Sequence, residues 1–314
     1  MANFDVFNGD ADGIISLVQL RLAEPLNATL VTGRKRDVKL LNRVDASEGD
    51  RVTVLDISMR TNTDELRRIL SAGANVFYVD HHNAGDVPDS PNLSAIIDTS
   101  PEICTAMLVD DVLDGQFRAW AITAAYGDNF SKLAETKALG MDLPLEKLER
   151  LGMLINYNGY GGSIDDLHFH PADLYQELLK FKTPMEFLAA DTSIFETLST
   201  GYERDFSQAE LARKIDETAQ GLIVGLGNNA ASRRVSGVFG NQLAQKNPGR
   251  AHAILTEQAG GYLVSIRAPI SKRSGADKLA LKFETGGGRS AAAGINHLPE
   301  GRLSDFVKAF REEF

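Results

Sequence analysis

The chain has 314 residues, 43% of them hydrophobic and 24% charged. It is long enough for two domains with cores of their own and too apolar to be mainly disordered. No apolar run approaches the roughly 20 residues that cross a bilayer. The start, Met1-Ala2-Asn3-Phe4-Asp5, has neither the basic nor the apolar region of a secretory signal. The single cysteine, Cys104, excludes an intramolecular disulfide and a cysteine-rich zinc site, so a reducing, cytoplasmic location is expected. The net charge of −10 argues against a protein that coats long nucleic acid. That charge is uneven: residues 230–314 hold 13 Lys/Arg and 7 Asp/Glu, residues 1–229 hold 20 and 36. Such a division suggests one domain that gathers cations and another that gathers anions.

In chain order, Phe4-Asp5-Val6-Phe7 reads as a strand, Gly13 to Ala23 as a helix and Ala28 to Val31 as a second strand. Arg51 to Leu55 is a third strand, ending at Asp56. Thr61-Asn62-Thr63 offers caps for a helix through about Leu70, and Asp64-Glu65 suits the positive end of its dipole. Gly73 closes that helix, and Asn75 to Val79 is the fourth strand. This alternation predicts a parallel sheet with helices on both faces. Residues 101–158 read as mainly helical, broken at Tyr126-Gly127-Asp128-Asn129, and residues 171–229 as helical and polar. Beyond Arg233, Val235 to Phe239, His252 to Thr256 and Tyr262 to Ile266 read as strands, and Ala276 to Phe283 as a helix. The expected organisation is a domain over residues 1–190, a helical connector over 191–229 and a smaller α/β domain over 230–314.

Ligands of such sheets sit beyond the carboxyl ends of the strands. There the first strand is followed by Asn8-Gly9-Asp10-Ala11-Asp12-Gly13, the third by Asp56 and the fourth by Asp80-His81-His82. Asp and His at one strand end can be turn or cap residues; at three strand ends that explanation becomes poor. Asp10, Asp12, Asp56, Asp128 and His81 suit a pair of divalent ions, and carboxylate with imidazole favours manganese, with magnesium possible. Two ions ~3.5–4 Å apart can clamp the attacking and leaving oxygens of a phosphoryl displacement.

Asp10-Ala11-Asp12, Asp56, Asp80-His81-His82 and Asp128 resemble, in order, the motifs of the DHH phosphoesterases. The run Gly286-Gly287-Gly288-Arg289-Ser290-Ala291-Ala292-Ala293-Gly294 resembles the glycine signature of the DHH-associated C-terminal domain, and Val264-Ser265-Ile266-Arg267 its arginine-bearing strand. The resemblance spans about Phe4 to Gly294. It implies a metal-dependent phosphoesterase with two manganese ions on Asp10, Asp12, Asp56, His81 and Asp128, Asp56 bridging. It further implies that His82 contacts the scissile phosphate or assists the leaving oxygen, with Asp80 positioning the histidines. Arg267, Gly286, Gly287, Gly288 and Arg289 would bind the substrate's far phosphate.

Two positions depart from the family. Val6 stands where the family usually has a histidine, four residues before Asp10, which removes one ligand of the first ion. Arg289 replaces the histidine after the glycines, which keeps an anion contact but removes a titrating group. His168 and His170 could supply the missing ligand if their loop folds over the site; as surface residues they would cap neighbouring helices. The expected substrate is a small phosphorylated nucleotide or a short single-stranded oligonucleotide, such as a dinucleotide or nanoRNA, with no membrane partner and a homodimer compatible with the sequence. Single-stranded DNA, polyphosphate, a pyrophosphatase and a non-catalytic nucleotide-binding protein are the alternatives.

Overall fold

The computed structural model describes residues 1–190 and 193–314. They form two compact units, Met1–Ser199 and Thr200–Phe314. The first unit runs β1 (Asn3–Phe7), α1 (Ala11–Ala23), β2 (Thr29–Val31), β3 (Arg51–Leu55), α2 (Thr63–Ser71), β4 (Asn75–Asp80) and β5 (Leu93–Ile97). Helices α3 (Thr105–Val112), α4 (Arg118–Gly127), α5 (Ser131–Lys137), α6 (Leu145–Asn158), α7 (Pro171–Leu178), α8 (Pro184–Ala189) and the first turns of α9 (Ser193–Glu210) follow. All five strands are parallel, in the order β2-β1-β3-β4-β5. The strand β5 was not anticipated from sequence.

Helices cover both faces, so the central strands are apolar on both sides rather than alternating. Val6, Val52, Val54, Val76 and Tyr78 point one way and pack on Leu66, Ile69 and Leu70 of α2. On the opposite face Arg21 of α1 reaches Asp5 of β1 and Thr53 of β3. The chain leaves β1 for β2 on one side and returns to β3 on the other. The carboxyl ends of β1 and β3 therefore flank the switch point where loops diverge and a ligand can enter.

The helices behind the sheet approach closely. A Cβ on Gly152 would lie 2.0 Å from the Thr123 carbonyl oxygen, and one on Gly127 2.6 Å from that of Gly152. These two glycines let α4 and α6 touch backbone to backbone, which brings Asp128, capping α4, beside Asn156 of α6.

The second unit contains the rest of α9, then β6 (Arg213–Glu217), β7 (Gly221–Leu226), α10 (Ala230–Lys246), β8 (Ala251–Gln258), β9 (Gly261–Arg267), α11 (Ala276–Ala280), β10 (Gly286–Gly288), β11 (Ala292–Pro299) and α12 (Leu303–Glu313). Its sheet has the order β10-β11-β9-β8-β7-β6, with only β7 and β8 parallel. Ile223, Ala253, Leu255 and Ile295 face α11 and α12, while Leu222, Val224 and Ile254 face α9 and α10.

Two expectations are corrected here. The helical connector over 191–229 begins on residues 191–192, which lie outside the described residues. Its second half is two strands, because Leu222, Val224 and Leu226 alternate into a core and the charged β6 covers that edge of the sheet. Val235 to Phe239 is helical, within α10: Val235 and Phe239 sit four residues apart on one buried stripe, and Asn229 caps the helix through Ser232 N at 2.9 Å. The glycine run forms the edge strand β10, antiparallel to β11, and Gly286 is pressed so close to the Ala280 carbonyl that a Cβ there would lie 1.8 Å from it.

Candidate metal centre

The carboxyl ends of β1, β3 and β4 and the end of α4 bring Asp10, Asp12, Asp56, Asp80, His81, His82 and Asp128 near one another. Asp10 caps α1, accepting from Gly13 N at 3.0 Å. Asp12, in the first turn of that helix, is buried and accepts from Thr105 N at 2.8 Å and Ala106 N at 2.7 Å. Those amides are the free donors at the start of α3, where a negative charge is favoured. Asp56 leaves β3 with φ +58°, a left-handed backbone uncommon for a residue with a side chain, and accepts from Thr105 Oγ1 at 3.2 Å.

His81 is the hub. Its Nδ1 lies 2.9 Å from the Ile103 carbonyl, so Nδ1 carries the hydrogen and donates it. Its Nε2 then faces three carboxylate oxygens, 3.5 Å from Asp56 Oδ1, 3.9 Å from Asp12 Oδ2 and 4.0 Å from Asp128 Oδ2. Ligand atoms on one small divalent ion, with bonds of about 2.0–2.2 Å, stand about 3–4 Å apart. One imidazole nitrogen and three buried or half-buried carboxylates converging on one point is an arrangement that a cation resolves. The donor set, oxygen with one imidazole whose far nitrogen is fixed by a carbonyl, fits manganese or magnesium. Asp56 and His82 also lie within ligating reach of His81.

Electrostatics point the same way. Burial, then the neighbouring Asp10, Asp12, Asp128 and Asp80, push the Asp56 carboxyl well above the usual range. Burial raises Asp12 too, against the pull of His81. His82 is half-exposed, and its Nδ1 is 2.8 Å from Asp80 Oδ1. Burial works against its charge, but the Asp80 hydrogen bond and charge outweigh burial and raise its pKa. Asp80 is fully buried, and its second oxygen has no hydrogen-bond partner.

Asp10 stands apart. Its Oδ2 is 2.6 Å from the Lys35 ammonium, which also reaches Asp128 Oδ1 at 2.9 Å and Asn156 Oδ1 at 3.1 Å. Burial opposes ionisation of both partners, yet the pairing prevails: Asp10 is held below the usual carboxylate range and Lys35 well above the usual ammonium range. Lys35, Thr105 and Asn156 were missed in the sequence. For Lys35 the signal was available, since Gly33-Arg34-Lys35-Arg36 follows β2 at the same end of the sheet.

Other expected site residues lie elsewhere. His168 Nε2 is 2.9 Å from the Tyr157 hydroxyl, and His170 caps α7 through Ala172 N at 3.2 Å. Among the described residues neither joins a group of converging ligand atoms, so neither replaces the ligand lost at Val6, which is itself buried in the sheet core. Arg267 is tied to α10 through Asn241 Oδ1 at 2.7 Å and the Gly237 carbonyl at 3.2 Å, which directs its guanidinium into the packing of its own unit. Arg289 sits exposed in the β10–β11 turn. A cavity of about 490 Å³, bordered by Arg21, Arg51, Thr53 and Asn75, opens at the amino ends of the strands, away from these ligand groups. Among the described residues no helix is long and apolar enough to cross a membrane.

No family model matches this sequence, and no curated protein matches it. Solved structures do. A member of the s1p family of ribosomal proteins, described by its DHH domain, aligns over 99% of this chain and 86% of its own, with TM-score 0.66 and 14% identity. Exonuclease RecJ bound to manganese aligns over 99% of this chain and 89% of its own, with TM-score 0.64 and 16% identity. The pGpG-specific phosphodiesterase PggH of Vibrio cholerae aligns over the full length of both chains, with TM-score 0.57 and 15% identity. At such identities the likeness is one of architecture, and this chain has the α/β fold of the DHH-domain proteins.

Proposed function

We propose that the protein is a metal-dependent phosphoesterase, acting on the phosphoester of a small nucleotide or short single-stranded oligonucleotide. The observation that carries this reading is the convergence of Asp12, Asp56 and Asp128 on an His81 Nε2 whose tautomer the Ile103 carbonyl dictates. Those four residues would hold the ion, and manganese is the preferred choice from the donor set; RecJ, of the same fold, was solved with manganese. A divalent ion there supplies Lewis acidity toward a phosphoryl oxygen and lowers the pKa of bound water.

The chain's own residues do the rest. His82, half-exposed at the edge of the cluster and hydrogen-bonded by Asp80, which favours its charged form, offers Nε2 to a phosphate oxygen or a proton to the leaving oxygen. Asp80 fixes the ring through Nδ1. Thr105, from α3, sets both Asp12 and Asp56. Arg289 is the candidate contact for a second phosphate, and Arg267, hydrogen-bonded to Asn241 and Gly237 of its own unit, is the weaker candidate.

The test is hydrolysis by the full chain with manganese or magnesium of a bis-aryl phosphate, linear and cyclic dinucleotides, short RNA and DNA, and polyphosphate. Turnover of at least one, lost by more than 100-fold in Asp56→Asn, supports the reading. No turnover of any, or equal turnover by Asp56→Asn, overturns it.

A further inference from the structure

Five carboxylates crowd this site, and one of the cations that balances them is already part of the chain. We propose that the Lys35 ammonium takes the place of one of two ions, so that the protein holds a single divalent ion, among Asp12, Asp56, His81 and Asp128. The inference rests on the metal-dependent reading above and adds its stoichiometry.

The geometry divides the cluster in two. Asp128 is shared: Oδ2 turns toward His81 and Oδ1 toward Lys35. Around His81 the oxygens stand 3.5 to 4.0 Å away, with room for an ion between them. Around Lys35 they stand at hydrogen-bonding distance, 2.6, 2.9 and 3.1 Å, from Asp10, Asp128 and Asn156. An ammonium has three N–H donors, and here three oxygens take them. Among the described residues two groups of ligand atoms converge, Asp12 with His81 and Asp128, and Asp56 with His81 and His82; they share His81, the His82 Nδ1 is held by Asp80 at 2.8 Å, and neither includes Asp10.

Lys35 is also held from behind. Its backbone N donates to the Gly159 carbonyl at 2.9 Å, its carbonyl accepts from Asn8 Nδ2 at 3.3 Å, and its ammonium lies 5.6 Å from the centre of the Tyr160 ring. An accidental surface lysine would not combine two backbone anchors, three acceptors and an aromatic face. On the other side, Val6 offers no donor atom. A second ion beside Asp10 would therefore have to displace a well-seated ammonium and would gain no ligand from β1. A lysine cannot be removed by chelation, so this half of the charge balance stays constant while the ion on the other half comes and goes.

The experiment is metal binding by the intact protein, read by equilibrium dialysis with manganese and by the electron paramagnetic resonance of the bound ion. The expected result is one manganese per chain with the six-line signal of an isolated ion. Lys35→Met, similar in length but uncharged, is expected to bind two, with the broadened spectrum of a coupled pair; Lys35→Arg, which keeps the charge, is expected to bind one. Circular dichroism and Trp120 fluorescence establish that each variant is folded. Two ions per wild-type chain, or one ion in folded Lys35→Met, overturns the proposal while leaving the metal-dependent reading intact. No manganese bound by the wild type overturns that reading itself.

Discussion

The ion pair between Asp5 of β1 and Arg21 of α1 is deeply buried in the first unit, and removing one partner alone is expected to destabilise that unit strongly. Arg21 Nε meets Asp5 Oδ2 at 2.8 Å and its terminal nitrogen meets Oδ1 at 2.6 Å, with Thr53 Oγ1 a third partner at 3.0 Å. The side chains are 4% and 1% exposed. Asp5→Val leaves a guanidinium in the core with one hydroxyl, and Arg21→Met leaves an uncompensated carboxylate. Each is expected to cost about 3–5 kcal/mol, the usual penalty for breaking a buried pair. That is a large share of the about 5–15 kcal/mol of a typical domain. The double variant removes both charges and fills the space with apolar atoms, so it is expected within about 1 kcal/mol of the wild type. Urea unfolding followed by Trp120, the only tryptophan and fully buried in this unit, reads the effect. With a slope of about 2–3 kcal/mol/M the single variants move the midpoint by about 1–2.5 M. Single costs below about 1 kcal/mol, or costs that simply add in the double variant, would refute the reasoning.

Four further outcomes are expected. Manganese at 100 times its dissociation constant should stabilise the first unit by about 2.7 kcal/mol. In Asp56→Asn that response should vanish while the metal-free protein melts no lower, since Asn tolerates the φ of +58° and adds no charge to the cluster; thermal melts with and without the ion decide this. Burial, then Arg250, lower the pKa of His252 in β8 from 6.5 to about 4. Between those values only the unfolded chain takes up the proton, so about 3 kcal/mol of second-unit stability, complete above pH 6.5, is lost as the pH falls to about 4. Hydrogen exchange of β8 and β9 measures this, and His252→Leu should flatten the dependence. Gly152→Ala should cost more than about 2 kcal/mol by separating α4 from α6, seen as a lower Trp120 midpoint. Arg267→Ala should lower second-unit stability by about 1–3 kcal/mol through its lost hydrogen bonds, with no change in KM, whereas Arg289→Ala should raise KM without a change in melting.

The sequence by itself determined most of the layout of the first unit, β5 excepted, and the end of the sheet where its candidate ligands gather. Strand-helix alternation marked β1, α1, β3, α2 and β4, because a parallel sheet demands apolar strands and intervening helices, and both signals are local. The strand-end rule then placed Asp10, Asp12, Asp56, Asp80, His81 and His82 at one end. In the second unit local signals misled: Val235 to Phe239 is β-branched and aromatic enough for a strand, but an apolar stripe at i and i+4 against Phe206 and Ile254 made it helical. What only the tertiary structure decided is how the charges pair. The tautomer of His81 depends on a carbonyl 22 residues away, the anchoring of Asp12 on amides 93 and 94 residues away, and the neutralisation of Asp10 and Asp128 on a lysine from a different loop. Pairings of that kind follow from which loops meet above the sheet. They leave no periodicity along the chain, because a hydrogen bond depends on distance in space and not on separation in sequence.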